Sequence, residues 1–450
     1  MNLPIEFKTN MKELLKDEYD AFIKSFSNSP KRGFRINKNY VRVDEFINIF
    51  PYEFKFINKE CGLCELIGEE KIGNSIYHHL GLLYLQEPSS MLSSMSLEVK
   101  EGECVLDLCS APGGKGSQIL DKNKTGIVVL NEINRARANI LLSNVERQGF
   151  KNAIVTSLSP AALSRKFANY FDKILVDAPC SGEGMFRKDP QTISEWNAGL
   201  PMFNHTRQMD ILEEADKMLK QGGVIVYSTC TFNLEENEKI VKEFAENFGY
   251  EIVALPDFVK NNTTQGFVVN EYDKTLLTRR CLFHNGFGEG QFIAKLIKKS
   301  ENLNEKYSKK QKYSPHKNDL KIVEEFIKEN LVKMDFKYYS IGNNIYVYDE
   351  EFNIDSDGVV CLGVNLGQIH NNRLNVHHQF FKAYGEYFKN KIQLNFNDER
   401  VNKYLRGEEI EVEPNVKGYA CVLVNGVPLG GGKASQGKLK NHYPKGLRNN

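Results

Sequence analysis

The chain has 450 residues, 41% hydrophobic and 26% charged, with a formal net charge of +1. That length exceeds one ordinary domain, and the balance describes a soluble globular chain rather than a disordered or fibrous one. No apolar run is long enough to span a membrane, and a net charge near zero leaves nucleic-acid binding open, because lysines can cluster locally.

Met1-Asn2-Leu3-Pro4-Ile5-Glu6 lacks a basic segment followed by an apolar one, so no secretory signal is expected. Phe7, Met11, Leu14, Leu15, Phe22 and Phe26 recur at helical spacing and predict one helix, ended by Pro30. Arg32 to Asn37 reads as a short strand, with Arg32 and Arg35 as either surface charge or RNA contacts. The nine cysteines, an odd and sparse set, suit a reducing compartment. Cys61 and Cys64 form a single Cys-x-x-Cys, read as two ordinary thiols near a strand or turn, and no metal site is expected.

From Val105 to Lys298 short apolar runs alternate with helical patterns. Val105–Leu108, Ile127–Leu130, Ile174–Val176 and Val224–Tyr227 read as strands, and Met209–Leu219 as a helix stopped by Gly222-Gly223. Such alternation predicts a doubly wound, mainly parallel sheet, whose ligands sit beyond the carboxyl ends of the strands. Lys298–Lys317 is charged and poor in apolar residues, so it reads as a linker to a separate C-terminal unit. In that unit Ile322–Leu331 looks helical, and Ile345–Tyr348, Val359–Leu362 and Tyr419–Val424 look like strands.

The first strand runs into Asp107-Leu108-Cys109-Ser110-Ala111-Pro112-Gly113-Gly114-Lys115. This is neither a P-loop nor a dinucleotide fingerprint, but a strand-end acid before a Gly-rich turn also occurs where S-adenosylmethionine binds. The next strand ends in Asn131-Glu132, where a carboxylate can accept hydrogen bonds from ribose hydroxyls. Two further loops follow strands: Asp177-Ala178-Pro179-Cys180-Ser181-Gly182-Glu183-Gly184 and Ser228-Thr229-Cys230-Thr231. Cys104 is read as a structural thiol, but Cys180 and Cys230 fall where a doubly wound sheet holds its chemistry. Carbon 5 of cytosine is a poor nucleophile until a thiolate adds to carbon 6, which accounts for one thiol. A second thiol can assist release, and Asp177 is placed to hydrogen-bond the base. Methylation of an exocyclic amine typically uses an Asn/Asp-Pro-Pro-aromatic loop instead of Asp177-Ala178-Pro179-Cys180.

At these loops, and at Gln86-Glu87-Pro88-Ser89-Ser90 and Gly288-Glu289-Gly290-Gln291-Phe292, the sequence closely resembles the Sun/NSUN family of RNA 5-cytosine methyltransferases, and within it the RsmF-like bacterial rRNA enzymes. The resemblance implies a Rossmann-like, class I methyltransferase α/β core with an N-terminal α/β extension and a C-terminal PUA-like α+β unit. It implies an RNA-binding extension over 1–90, a catalytic domain over 91–298, a linker over 299–317, an intermediate domain over 318–388 and a PUA-like RNA-binding domain over 389–450. Cys230 would attack the base and Cys180 assist release, the reverse of the DNA cytosine enzymes. Cys109 to Lys115 (Cys109, Ser110, Ala111, Pro112, Gly113, Gly114, Lys115), Glu132 and Asp177 would contact S-adenosylmethionine, and Lys115 would also reach the reacting centre. Many relatives carry an Asp in the loop after the third strand. Here that loop is Val155-Thr156-Ser157-Leu158-Ser159-Pro160, which leaves Ser159 or backbone to make the contact.

The tail carries Lys433, Lys438, Lys440, Lys445 and Arg448, which suit phosphate contacts, and Gly367 to Arg373 resembles a segment of the same relatives. The expected enzyme is a cytoplasmic, membrane-free monomer acting on rRNA, either free or within a ribosomal subunit. A tRNA methyltransferase, a catalytically silent ribosome-assembly factor and a DNA cytosine methyltransferase are the alternatives.

Overall fold

A computed structural model describes residues 1–300, 313–332, 334–352 and 354–448. The centre is a ten-stranded sheet. Its parallel part contains β1 (Val105–Asp107), β2 (Val128–Asn131), β3 (Ala153–Thr156), β4 (Phe171–Asp177) and β5 (Leu219–Thr229), in spatial order β3-β2-β1-β4-β5. The expected doubly wound architecture is therefore present. Buried parallel strands can be apolar on both faces because helices cover each side, and β1 and β2 are buried throughout. The order reverses between β1 and β4, so a crevice opens at their carboxyl ends.

Antiparallel strands extend both flanks. β6 (Gln291–Lys298) pairs with β5, and both Arg279–Cys281 and Tyr250–Val253 pair with β6. On the opposite edge, Val359–Leu362 pairs antiparallel with β3. The stretch expected to be a separate unit beyond the linker thus lends a strand to the central sheet, where it satisfies backbone groups that an open edge would leave unpaired. The linker expected at 299–317 lies mostly outside the described residues.

The helix expected from Phe7 to Phe26 is instead two, Ile5–Leu15 and Tyr19–Ser25, separated by a turn at Lys16 with φ of 48°. In one straight helix Phe7 and Phe22 would lie roughly 22 Å apart, whereas their rings are 6.4 Å apart here. The turn folds the apolar stripe back on itself, and Phe7, Phe22 and Phe26 pack against Phe186, Phe232 and Phe283 from the chain of the ten-stranded sheet.

The strand Gly33–Ile36 sits inside a four-stranded antiparallel sheet. Arg35 is neither surface charge nor placed to meet RNA: it is 1% exposed, and its guanidinium donates to Ser117 Oγ at 2.6 Å. Arg32 donates to the backbone oxygens of Gly68 and Glu70. The helix expected over Met209–Leu219 starts earlier, at Leu200, and ends at Met218; Gly222-Gly223 lies within β5 rather than at the helix stop.

C-terminal to the helix Lys317–Asn330 come a four-stranded sheet and then a five-stranded sheet built from Lys391–Leu394, Gly418–Val424, Val427–Ser435, Lys438–Asn441 and Ile410–Glu411. Apolar residues of this last sheet share one core with the N-terminal sheet, including a Tyr77–Phe396 ring contact at 5.0 Å. Among the described residues no helix is long and apolar enough to cross a membrane.

Candidate active site

The loop after β1 turns through Gly113, whose φ of 108° suits glycine, before the helix α1 (Gly114–Lys122) begins. Three ties hold it. Asp107 accepts from Ser110 Oγ at 2.8 Å, Ser110 N donates to Asn131 O at 2.8 Å, and the Arg137 guanidinium donates to Ala111 O at 2.9 Å. Burial pushes the Asp107 carboxyl up to about 7, against the Ser110 hydrogen bond.

Above the strand ends lies a cavity of about 600 Å³ that runs from Ile133 and Pro160 past Glu132 and Asp177 to Cys180 and Cys230. Glu132 is 4% exposed, accepts from Asn134 N at 2.9 Å and pairs with Arg137 at 3.2 Å. Ser159 also lines the cavity, although its hydroxyl is engaged in capping the helix Pro160–Ser164. The residues fit S-adenosylmethionine by their chemistry. Ile133 and Pro160 offer apolar surface for a flat ring, the Glu132 carboxylate is an acceptor for hydroxyls, and Asp177 is a carboxylate further along.

Asp177 ends β4 and is held on both oxygens. Lys115 Nζ donates to Oδ2 at 2.8 Å, and Ser228 Oγ, from the end of β5, donates to Oδ1 at 2.7 Å. Burial would lower the Lys115 pKa, but the adjacent Asp177 carboxylate and their hydrogen bond raise it, so the ammonium persists at neutral pH. Lys115 does not line the larger cavity. With Tyr84, Gln86 and Asp177 it walls a smaller one of about 200 Å³ that shares Cys109, Ala111 and Asp177 with the larger.

Of the residues expected to contact cofactor, Cys109 and Ala111 border both cavities. Ser110, Pro112, Gly114 and Lys115 border the smaller one. Gly113 supplies the turn and caps α1.

Cys180 and Cys230 come from loops 50 residues apart, and their sulfurs stand 3.3 Å from each other. The hydrogen bond to Cys230, with burial, holds the Cys180 thiol well above its ordinary range. The two loops are laced together. Ser181 Oγ and Thr231 Oγ1 are 2.7 Å apart, and Gly184 N donates to Cys230 O at 2.8 Å. A Cβ on Gly184 would come within 2.7 Å of both Cys230 O and Gly290 Cα, so the two Gly-Glu-Gly segments cross backbone to backbone.

The sequence pattern does not single out Glu236. This residue is fully buried and accepts from Ser181 N at 2.9 Å and from Gln208 Nε2 at 3.0 Å, while Gln208 also donates to Pro179 O at 2.8 Å. Burial pushes its carboxyl up to about 7. The only local signal is an acidic pair, Glu235-Glu236, soon after the Thr-Cys loop. Arg207 and Asp210, which also line the larger cavity, sit on the helix face turned toward it and carry no motif of their own. Among the described residues no group of three or more His, Cys, Asp or Glu side chains could hold a metal ion.

Comparison with known proteins identifies the family and the fold. Residues 94–297 match the family of 16S rRNA methyltransferase RsmB/F. Residues 3–88 match the N-terminal domain of 16S rRNA methyltransferase RsmF, and residues 389–449 match the methyltransferase RsmF PUA domain. The ribosomal RNA small subunit methyltransferase F of Aliivibrio fischeri is 30% identical over 393 residues, covering 84% of this chain and 81% of that protein. The same-named protein of Vibrio vulnificus is 28% identical over 472 residues, covering 99% and 97%. A solved methyltransferase homologue from Pyrococcus horikoshii has a TM-score of 0.58 and 28% identity, over 65% of this chain and 94% of that one. The fold is thus a Rossmann-like methyltransferase core with a C-terminal PUA domain, and the chain belongs to the ribosomal RNA small subunit methyltransferase F family.

Proposed function

We propose that the protein transfers a methyl group from S-adenosylmethionine to carbon 5 of a cytosine in small-subunit rRNA, with Cys230 as covalent nucleophile. The observation that carries this reading is the pair of thiols at the ends of β4 and β5, 3.3 Å apart and facing the cavity that Asp177 also lines. When bound, S-adenosylmethionine supplies an electrophilic methyl group.

The Cys230 thiolate adds to carbon 6, forming a carbon–sulfur bond and making carbon 5 nucleophilic. The Asp177 carboxylate, oriented by Lys115 and Ser228, accepts a hydrogen bond from the base amine. Before addition Cys180 is a thiol beside the Cys230 sulfur, and that contact favours its protonated form. Once Cys230 is a thioether it is a poor acceptor; Cys180 then releases its proton to solvent, and its thiolate takes the carbon 5 proton after the methyl group has joined carbon 5. Elimination then returns the Cys230 thiolate and releases the product.

The tail supports an RNA substrate. Lys433 and Lys440 stand directly opposite each other on adjacent strands, and both are exposed. Like charges so placed repel one another, and a phosphate backbone relieves that repulsion. The test is bisulfite sequencing of 16S rRNA from cells with and without the gene, in which one protected cytosine should be lost with the gene. An unchanged cytosine pattern, with a different methylated nucleotide missing, would refute the reading.

A further inference from the structure

We propose that Gln86 contacts the substrate directly, its side-chain amide hydrogen-bonding the N3/N4 edge of the target cytosine in the smaller cavity beside Lys115 and Asp177. This rests on the cytosine reading above and adds a residue to it. The cavity, about 200 Å³, is walled by Tyr84, Gln86, Ser90, Lys115 and Asp177, so it adjoins the pair proposed to hold the base.

Gln86 is 8% exposed, and both Oε1 and Nε2 are shut off from solvent with no hydrogen-bonding partner. Burying a donor and an acceptor unpaired is unfavourable, and native proteins seldom retain such groups without a use for them. No protein group pairs with either atom, so the group to satisfy them is a ligand in the cavity that Gln86 walls, met by a turn of the side chain toward it.

The surroundings fix the backbone that carries this amide. Gln86 N donates to Gly33 O at 3.0 Å. The next residue, Glu87, accepts from Ser89 N at 2.9 Å, Ser90 N at 3.0 Å and Glu289 N at 2.7 Å. The backbone on both sides of the side chain is therefore fixed. A Cβ on Gly114 would lie 3.3 Å from Gln86 Cδ, so the glycine in the loop leaves room for the amide.

The chemistry matches a pyrimidine edge. Cytosine presents an acceptor, N3, beside a donor, the N4 amine. A primary amide meets such a pair with two bonds, as Asn and Gln do on adenine. When the Cys230 thiolate adds to carbon 6, electron density moves through carbon 5 toward N3. An N–H directed at N3 then strengthens as the adduct forms, which makes the contact useful in the reaction as well as in binding.

The test uses the full-length protein and two variants, Gln86→Leu and Gln86→Glu, with unmodified 16S rRNA transcript and 30S subunits from cells lacking the gene. Gln86→Leu removes both unpaired atoms. It should melt at or above the wild-type temperature, bind S-adenosylhomocysteine with wild-type affinity and lose roughly 10- to 100-fold in kcat/KM. Gln86→Glu keeps an acceptor but loses the donor and should lose at least as much. A clear fall in melting temperature for Gln86→Leu would assign the residue to folding and overturn the proposal. Weakened S-adenosylhomocysteine binding would place the cofactor's amino-acid end in this cavity, with the same consequence, and an unchanged kcat/KM would also overturn it. If the wild-type product is not 5-methylcytosine, the base assignment itself has failed, whatever the variants do.

Discussion

Replacing Glu132 tests the cofactor site most directly. Its carboxylate is nearly inaccessible at the cavity wall, with one oxygen accepting from Asn134 N at 2.9 Å. The other meets Arg137, whose side chain is 56% exposed, so that ion pair is screened and adds little. The group left to benefit from a buried carboxylate is the ribose of S-adenosylmethionine. A hydrogen bond to a charged acceptor contributes about 1.5–3 kcal/mol, against about 0.5–1.5 for a neutral one. With about 1.4 kcal/mol per tenfold, Glu132→Ala should weaken binding of S-adenosylhomocysteine roughly 10- to 150-fold. Glu132→Gln keeps the shape and the Asn134 bond but loses the charge, and should weaken it roughly tenfold. Titration calorimetry reads both, and thermal melts check that each variant is folded. Equal affinity in wild type and both variants would remove Glu132 from the site. Equal, large losses in both would mean that charge rather than shape is what the cofactor reads.

Cys230→Ala should abolish methylation while S-adenosylhomocysteine still binds, and Cys180→Ala should accumulate a covalent RNA adduct, seen as a slow band on a denaturing gel. A band from Cys230→Ala alone would reverse the two roles. Gly116→Ala would place a Cβ 2.6 Å from Ser110 Oγ and 2.7 Å from Leu130 Cδ2. Overpacking of about 1–3 kcal/mol opposes the helix preference of about 1 kcal/mol for alanine, so denaturant melts should show no gain and a net loss of up to about 2 kcal/mol. Replacing Lys433, Lys438, Lys440, Lys445 and Arg448 with Gln should flatten the salt dependence of RNA binding by roughly one unit of slope for each phosphate left without its cation, with cofactor affinity unchanged. Identical slopes would show that these charges are merely solvated.

The placement of the candidate site was legible in the sequence because its signals are local. Buried parallel strands are short apolar runs, and loops that carry ligands follow them with glycine, proline and acid, so Asp177, Cys180 and Cys230 could be placed at strand ends from the pattern alone. Partners distant in the chain were not legible, because local propensity carries no information about what a side chain will meet. Arg35 in a short strand looks like surface charge until Ser117, 82 residues away, is folded onto it. Glu235 and Glu236 look alike in sequence, and only packing turns the second inward to hold the Pro-Cys loop through Ser181 and Gln208. Val359–Leu362 reads as a strand, but tertiary structure alone chose the open edge of β3 as its partner, since any unpaired edge offers the same backbone groups. Likewise, an apolar stripe at helical spacing is the same for one helix or two. The break at Lys16 follows from where Phe22 and Phe26 must pack, against rings that come from far along the chain.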